Sequence, residues 1–79
     1  MRTILYIEDN FENKLLVRRL LENAGYNVLE ADDGISGIQL AMEKRPDLII
    51  MDINIPGMDG YAATTKIKAI ESLAKTPIV

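Results

Sequence analysis

Three acidic side chains stand where they could do chemistry. Glu8 and Asp9 follow directly on the apolar run Thr3-Ile4-Leu5-Tyr6-Ile7, and Asp52 follows on Leu48-Ile49-Ile50-Met51. A continuous apolar run of this length reads as a strand buried on both faces. Asp52 therefore surfaces at the carboxyl end of a strand, the edge where open α/β sheets bind ligands. A carboxylate held there is a candidate nucleophile or metal ligand; the plain alternative is that it caps the next loop. Glu8 and Asp9 are two like charges at one strand end, an arrangement that raises at least one pKa. A divalent cation would relieve the repulsion. Otherwise the pair sits in solvent and starts the following helix.

Composition narrows the chemistry. The 79-residue chain has no cysteine and no histidine, which excludes disulfides, thiolate or imidazole zinc sites and histidine acid–base schemes. A bound metal must be hard and oxygen-liganded. Net charge is −3 without a basic block, so nucleic acid is not an expected partner. Apolar content of 48% supplies a core for one small domain. No apolar run approaches the roughly 20 residues of a membrane span, and a soluble cytoplasmic protein is the expectation.

The elements that position the acids follow from periodicity. Phe11 to Ala24 reads as a helix capped by Asn10 or Asp9 and ended by Gly25, with Leu16, Val17, Leu20, Leu21 and Ala24 as its core stripe. Tyr26 to Ala31 alternates, as an edge strand does. Asp32-Asp33-Gly34 is a turn leading into a second helix, roughly Ile35 to Lys44, with Ile35, Ile38, Ala41 and Met42 on the expected buried face and Gly37 explained by close helix–sheet packing. Arg45-Pro46 stops that helix. After Asp52, residues 54–60 are too rich in Pro and Gly to be regular. Tyr61 to about Ile70 is a third helix, Ser72 to Thr76 a connector, and Pro77-Ile78-Val79 opens a fourth strand.

The order β-α-β-α-β-α-β argues a parallel sheet whose strand carboxyl ends share one edge. Glu8, Asp9 and Asp52 converge there if their strands are neighbours. With the backbone carbonyl of Asn54 nearby, they make an octahedral Mg²⁺ site completed by water.

These residues resemble the response-regulator receiver domains of two-component signalling. The resemblance rests on Ile4-Leu5-Tyr6-Ile7-Glu8-Asp9-Asn10, Pro46-Asp47-Leu48-Ile49-Ile50-Met51-Asp52 and Ile55-Pro56-Gly57-Met58-Asp59-Gly60, in order and at family-like spacing. It implies a flavodoxin-like fold with strand order 2-1-3-4 for the strands present. It also implies that Asp52 accepts a phosphoryl group from a histidine kinase or phosphotransfer protein, as a non-enzymatic signalling module of a phosphorelay. Glu8 and Asp9 would hold Mg²⁺, Asp9 directly and Glu8 through water, with Asn54 giving its carbonyl. Pro56 and Gly57 would shape the loop beside the site and Met58 would lie at its mouth.

The resemblance also implies departures. Residues 1–79 correspond to the N-terminal two-thirds of a receiver, a truncated form. The family's Ser or Thr after the fourth strand and its Lys after the fifth have no counterpart, and Thr64, Thr65, Lys66 and Lys68 on the third helix are poorly placed to substitute. Losing such a donor costs about 10²–10³ in rate, so impaired phosphotransfer is expected. Without a fifth helix one sheet face is half covered, and self-association through that face or the fourth-strand edge is expected. Two other readings stand beside this one. A structural assembly fragment would leave Asp52 idle. A Mg²⁺-dependent phosphatase with a strand-end Asp nucleophile would want a second Asp where Asn54 stands.

Overall fold

The computed structural model describes residues 2–52 and 60–79. Strands β1 (Thr3–Ile7), β2 (Asn27–Ala31) and β3 (Leu48–Met51) form a parallel sheet in the order β2-β1-β3. Helices α1 (Phe11–Asn23), α2 (Gly34–Lys44) and α3 (Gly60–Lys68) alternate with them, and a single 3-10 turn spans Glu71–Leu73. The first three strands take the expected order. The expected fourth is shorter than a strand: Pro77–Val79 joins β3 through one isolated parallel bridge, Ile49 to Ile78. Lys68 Nζ donates to the carbonyls of Ala74 and Thr76, which ties α3 to the residues leading into this segment.

Each strand's alternation sends residues to two layers. Leu5, Ile7, Ala31 and Ile49 face Ala41 of α2, Ala63 and Ile67 of α3 and Leu73 in one buried cluster. Ile4, Tyr6 and Val28 are buried on the opposite face. Asp47 accepts the Thr3 N–H at 2.7 Å and donates its own N–H to the Thr3 carbonyl at 2.8 Å, pinning the start of β1 to that of β3.

Local signals set the helix ends. Asn10 caps α1 through its side-chain oxygen and the Asn13 N–H, 2.9 Å. Asp33 caps α2 through the Ser36 N–H, 2.7 Å, and that bond holds its carboxyl below the ordinary range. Gly25, at φ 95°, ends α1 with a double closure: Gly25 N–H to the Glu22 carbonyl and Tyr26 N–H to that of Leu21. Arg45 ends α2 in the left-handed region at φ 46°, and Pro46 follows it.

Three packing expectations need correction. The α1 stripe is not core: no α1 residue is fully buried, and Leu16 and Leu20 are 60% and 61% exposed. Arg18 is drawn to Glu30 of β2 at 2.7 Å and Lys14 pairs with Asp32, so α1 leans over the β2 edge. At 3.6 residues per turn, Leu16, Leu20 and Ala24 then lie roughly 90° round from Lys14, Val17 and Leu21, which face inward. On α2 the buried residues are Gly34, Gly37 and Ala41, while Ile35 and Met42 are 57% and 52% exposed. Small residues face the sheet because the helix lies close to it. Finally, Leu73 within the expected connector is fully buried and belongs to the core.

Candidate functional site

The site grows out of the last hydrogen bonds of the sheet. Glu8 N–H donates to the Ala31 carbonyl at 3.0 Å, and Asp52 N–H donates to the Ile7 carbonyl at 3.1 Å. Each acid is thus held one bond beyond its strand on the same edge, Glu8 at the end of the central strand and Asp52 at the end of its neighbour β3. One carboxylate oxygen from each of Glu8, Asp9 and Asp52 lies within 4.8 Å of the other two. Convergence of the three acids, expected from the topology, is what the structure brings about. Asn54, Pro56, Gly57 and Met58 lie outside the described residues.

The three acids differ in setting. Asp9 is exposed and Asp52 half-buried, whereas Glu8 is only 5% exposed. Burial pushes the Glu8 carboxyl above the ordinary glutamate range; the Asn10 N–H opposes this, and the nearby Asp52 and Asp9 carboxylates add to it. Glu8 Oε1 accepts the Asn10 N–H at 3.1 Å, and Oε2 accepts the Tyr6 hydroxyl at 3.4 Å. The same cap residue therefore starts α1 and steadies Glu8. Burial also raises the Tyr6 phenol, with the Glu8 charge adding to the effect. Tyr6 is a site neighbour that reading the apolar run as strand formers passed over. The available signal was spacing, because residues two apart in a strand share a face.

A hard cation suits this donor set. Several carboxylate oxygens around one point, with room for water on the exposed Asp9 side, match the all-oxygen coordination of Mg²⁺, and its charge offsets the carboxylate repulsion that adds to the effect of burial on Glu8. Among the candidate substitutes on α3, Lys68 is engaged with Ala74 and Thr76, and Thr64 Oγ1 lies 3.8 Å from Met51 Sδ.

Comparison with known proteins decides the family. Residues 4–79 match the response regulator receiver domain. The chain belongs to that family. This receiver domain is 36% identical over 78 residues to the polar-differentiation response regulator DivK of Brucella anthropi, covering 99% of this chain and 63% of DivK. It therefore spans less than two-thirds of the length of that relative. Among solved structures, the chemotaxis response regulator CheY4 of Vibrio cholerae superposes with a TM-score of 0.96 at 32% identity, covering 99% of this receiver domain and 65% of CheY4. The receiver domain of the sensor histidine kinase PA1611 from Pseudomonas aeruginosa PAO1, solved with a magnesium ion coordinated in its active-site cleft, gives 0.94 at 39% identity over 98% of this chain and 63% of its own. The response regulator TrrA in complex with the histidine kinase ThkA gives a structure with TM-score 0.90 at 26% identity, with 99% of this chain and 66% of that chain covered. Among the described residues, no helix of this receiver domain is long and apolar enough to cross a membrane.

Proposed function

We propose that this receiver domain is a phosphoacceptor module of a two-component phosphorelay, with Asp52 taking the phosphoryl group from the phosphohistidine of a histidine kinase or phosphotransfer protein. The observation that carries the reading is the convergence of Glu8, Asp9 and Asp52 within 4.8 Å on the edge where the sheet ends. An Asp52 carboxylate oxygen forms the new P–O bond as the P–N bond of the donor breaks, and the released imidazole takes a proton from solvent. The Asp52 N–H bond to Ile7 keeps the nucleophile at the end of a rigid strand, so positioning supplies much of the catalysis. Glu8, Asp9, Asp52 and the Asn54 carbonyl would hold Mg²⁺. When bound, the cation neutralises charge between an anionic carboxylate and an anionic phosphoryl donor. The module works in the cytoplasm, where its kinase partner's phosphohistidine is made.

Intact mass after incubation with Mg²⁺ and a small-molecule phosphodonor tests this, beside Asp52→Asn. A single phosphoryl adduct that the variant lacks supports the reading. No adduct, with Mg²⁺ still bound, reduces the site to a metal trap, and no adduct without Mg²⁺ binding leaves a structural role.

A second reading concerns assembly and rests on Leu16 and Leu20, exposed side by side on α1. Burying these two side chains against a second copy would remove them from water.

A further inference from the structure

We propose that Tyr6 is a positioning residue for the acidic site: its hydroxyl, donated to Glu8 Oε2, orients the Glu8 carboxylate for the cation. The inference rests on the Mg²⁺ reading above and extends it to a residue outside the acidic set. Tyr6 sits on the central strand, flanked in register by Glu30 of β2 and Ile50 of β3, and is 7% exposed. A phenol buried so deeply needs a partner for its O–H. An apolar position would be served by phenylalanine without that demand. The strand's period of two sends Tyr6 and Glu8 to the same face, and the hydroxyl reaches Oε2 at 3.4 Å.

The other half of the carboxylate is already held. Oε1 accepts the Asn10 N–H, so each oxygen of Glu8 has a protein donor among the described residues. Two donors on opposite oxygens fix the rotation of the carboxylate plane, which one donor cannot do. Each oxygen has a second lone pair beyond its donor, and in the metal-bound form a water or a cation among Glu8, Asp9 and Asp52 would take it. Partners that orient a metal ligand in this way typically control 10- to 100-fold in affinity. The Tyr6 bond is longer than the usual 2.5–3.0 Å of O–H···O contacts, so the expected effect is at or below the low end of that range, roughly threefold to tenfold.

Calorimetric Mg²⁺ titration of the unsubstituted chain, Tyr6→Phe and Tyr26→Phe tests the proposal. Tyr6→Phe keeps the buried ring and is expected to bind roughly three- to tenfold more weakly, with its metal-free thermal unfolding still cooperative; Tyr26→Phe is expected to match the unsubstituted chain. Equal affinity in Tyr6→Phe overturns the proposal and leaves the Mg²⁺ site standing. Absence of binding in the unsubstituted chain overturns both. A second measurement does not depend on Tyr6→Phe folding. The chain has three tyrosines and no tryptophan, so Tyr26→Phe/Tyr61→Phe leaves Tyr6 as the sole fluorophore. Its emission is expected to change with the same Mg²⁺ midpoint as the calorimetry, and an unchanged emission on saturation counts against the proposal.

Discussion

A β-carbon at Gly37 would lie 2.4 Å from Ile7 Cδ1 and 2.8 Å from Ile7 Cγ1. Ile7 is fully buried, and its carbonyl accepts the N–H of Asp52, so the closeness of α2 to β1 bears on the strand end that carries the site. Gly37→Ala gains about 1 kcal/mol of helix propensity but overpacks a filled core at about 1–3 kcal/mol. A net loss of about 1 kcal/mol is expected. Ile7→Val removes the clashing Cδ1, so the double variant should be more stable than the two single losses predict. A denaturant double-mutant cycle measures this coupling, and strict additivity would refute the packing explanation.

The pH dependence of stability follows from Glu8. Its folded pKa is raised, so its contribution is fully present below the unfolded value of about 4.3 and is lost as pH rises through the folded value. The metal-free protein should lose this contribution on going from mildly acidic to neutral pH, and Glu8→Gln should flatten the loss. Mg²⁺ acts in the opposite sense, because it requires the carboxylate form. At tenfold excess over Kd it adds about 1.4 kcal/mol. Thermal unfolding with and without Mg²⁺ should show a gain that grows with pH as Glu8 ionises and that depends less on pH in Glu8→Gln; an identical pH dependence in the variant would count against Glu8 as a holder of the cation.

Asn10 joins the helix to the site through two separate groups. Its side chain caps α1 and its N–H binds Glu8. Asn10→Ala removes only the first and should cost about 1 kcal/mol, or roughly 4–8 °C in Tm for a domain of this size. The Glu8 contact is main-chain and survives, so Mg²⁺ affinity should change less than twofold.

Leu16 and Leu20 test the assembly reading. Both are so exposed that Leu16→Glu or Leu20→Glu should change stability by no more than about 0.5 kcal/mol. Analytical ultracentrifugation should show concentration-dependent association of the unsubstituted chain that either substitution weakens. A strictly monomeric unsubstituted chain would end that reading.

By itself the sequence determined the local events. Two apolar runs ending in Glu8-Asp9 and Asp52 gave the strand ends, and Asn10, Asp33 and Gly25 marked helix limits, because caps and strand periodicity act within a few residues. Tertiary structure decided what depends on orientation between elements. Helical periodicity reveals an apolar stripe on α1 but not its rotation about the helix axis; in the rotation adopted, Arg18 pairs with Glu30 and Lys14 with Asp32, and Leu16 and Leu20 lie outside. The same limit hid Leu73, whose burial depends on how the chain returns after α3. It also hid the Tyr6–Glu8 bond, since only the packed sheet removes water from a phenol that the sequence presents as one more strand residue.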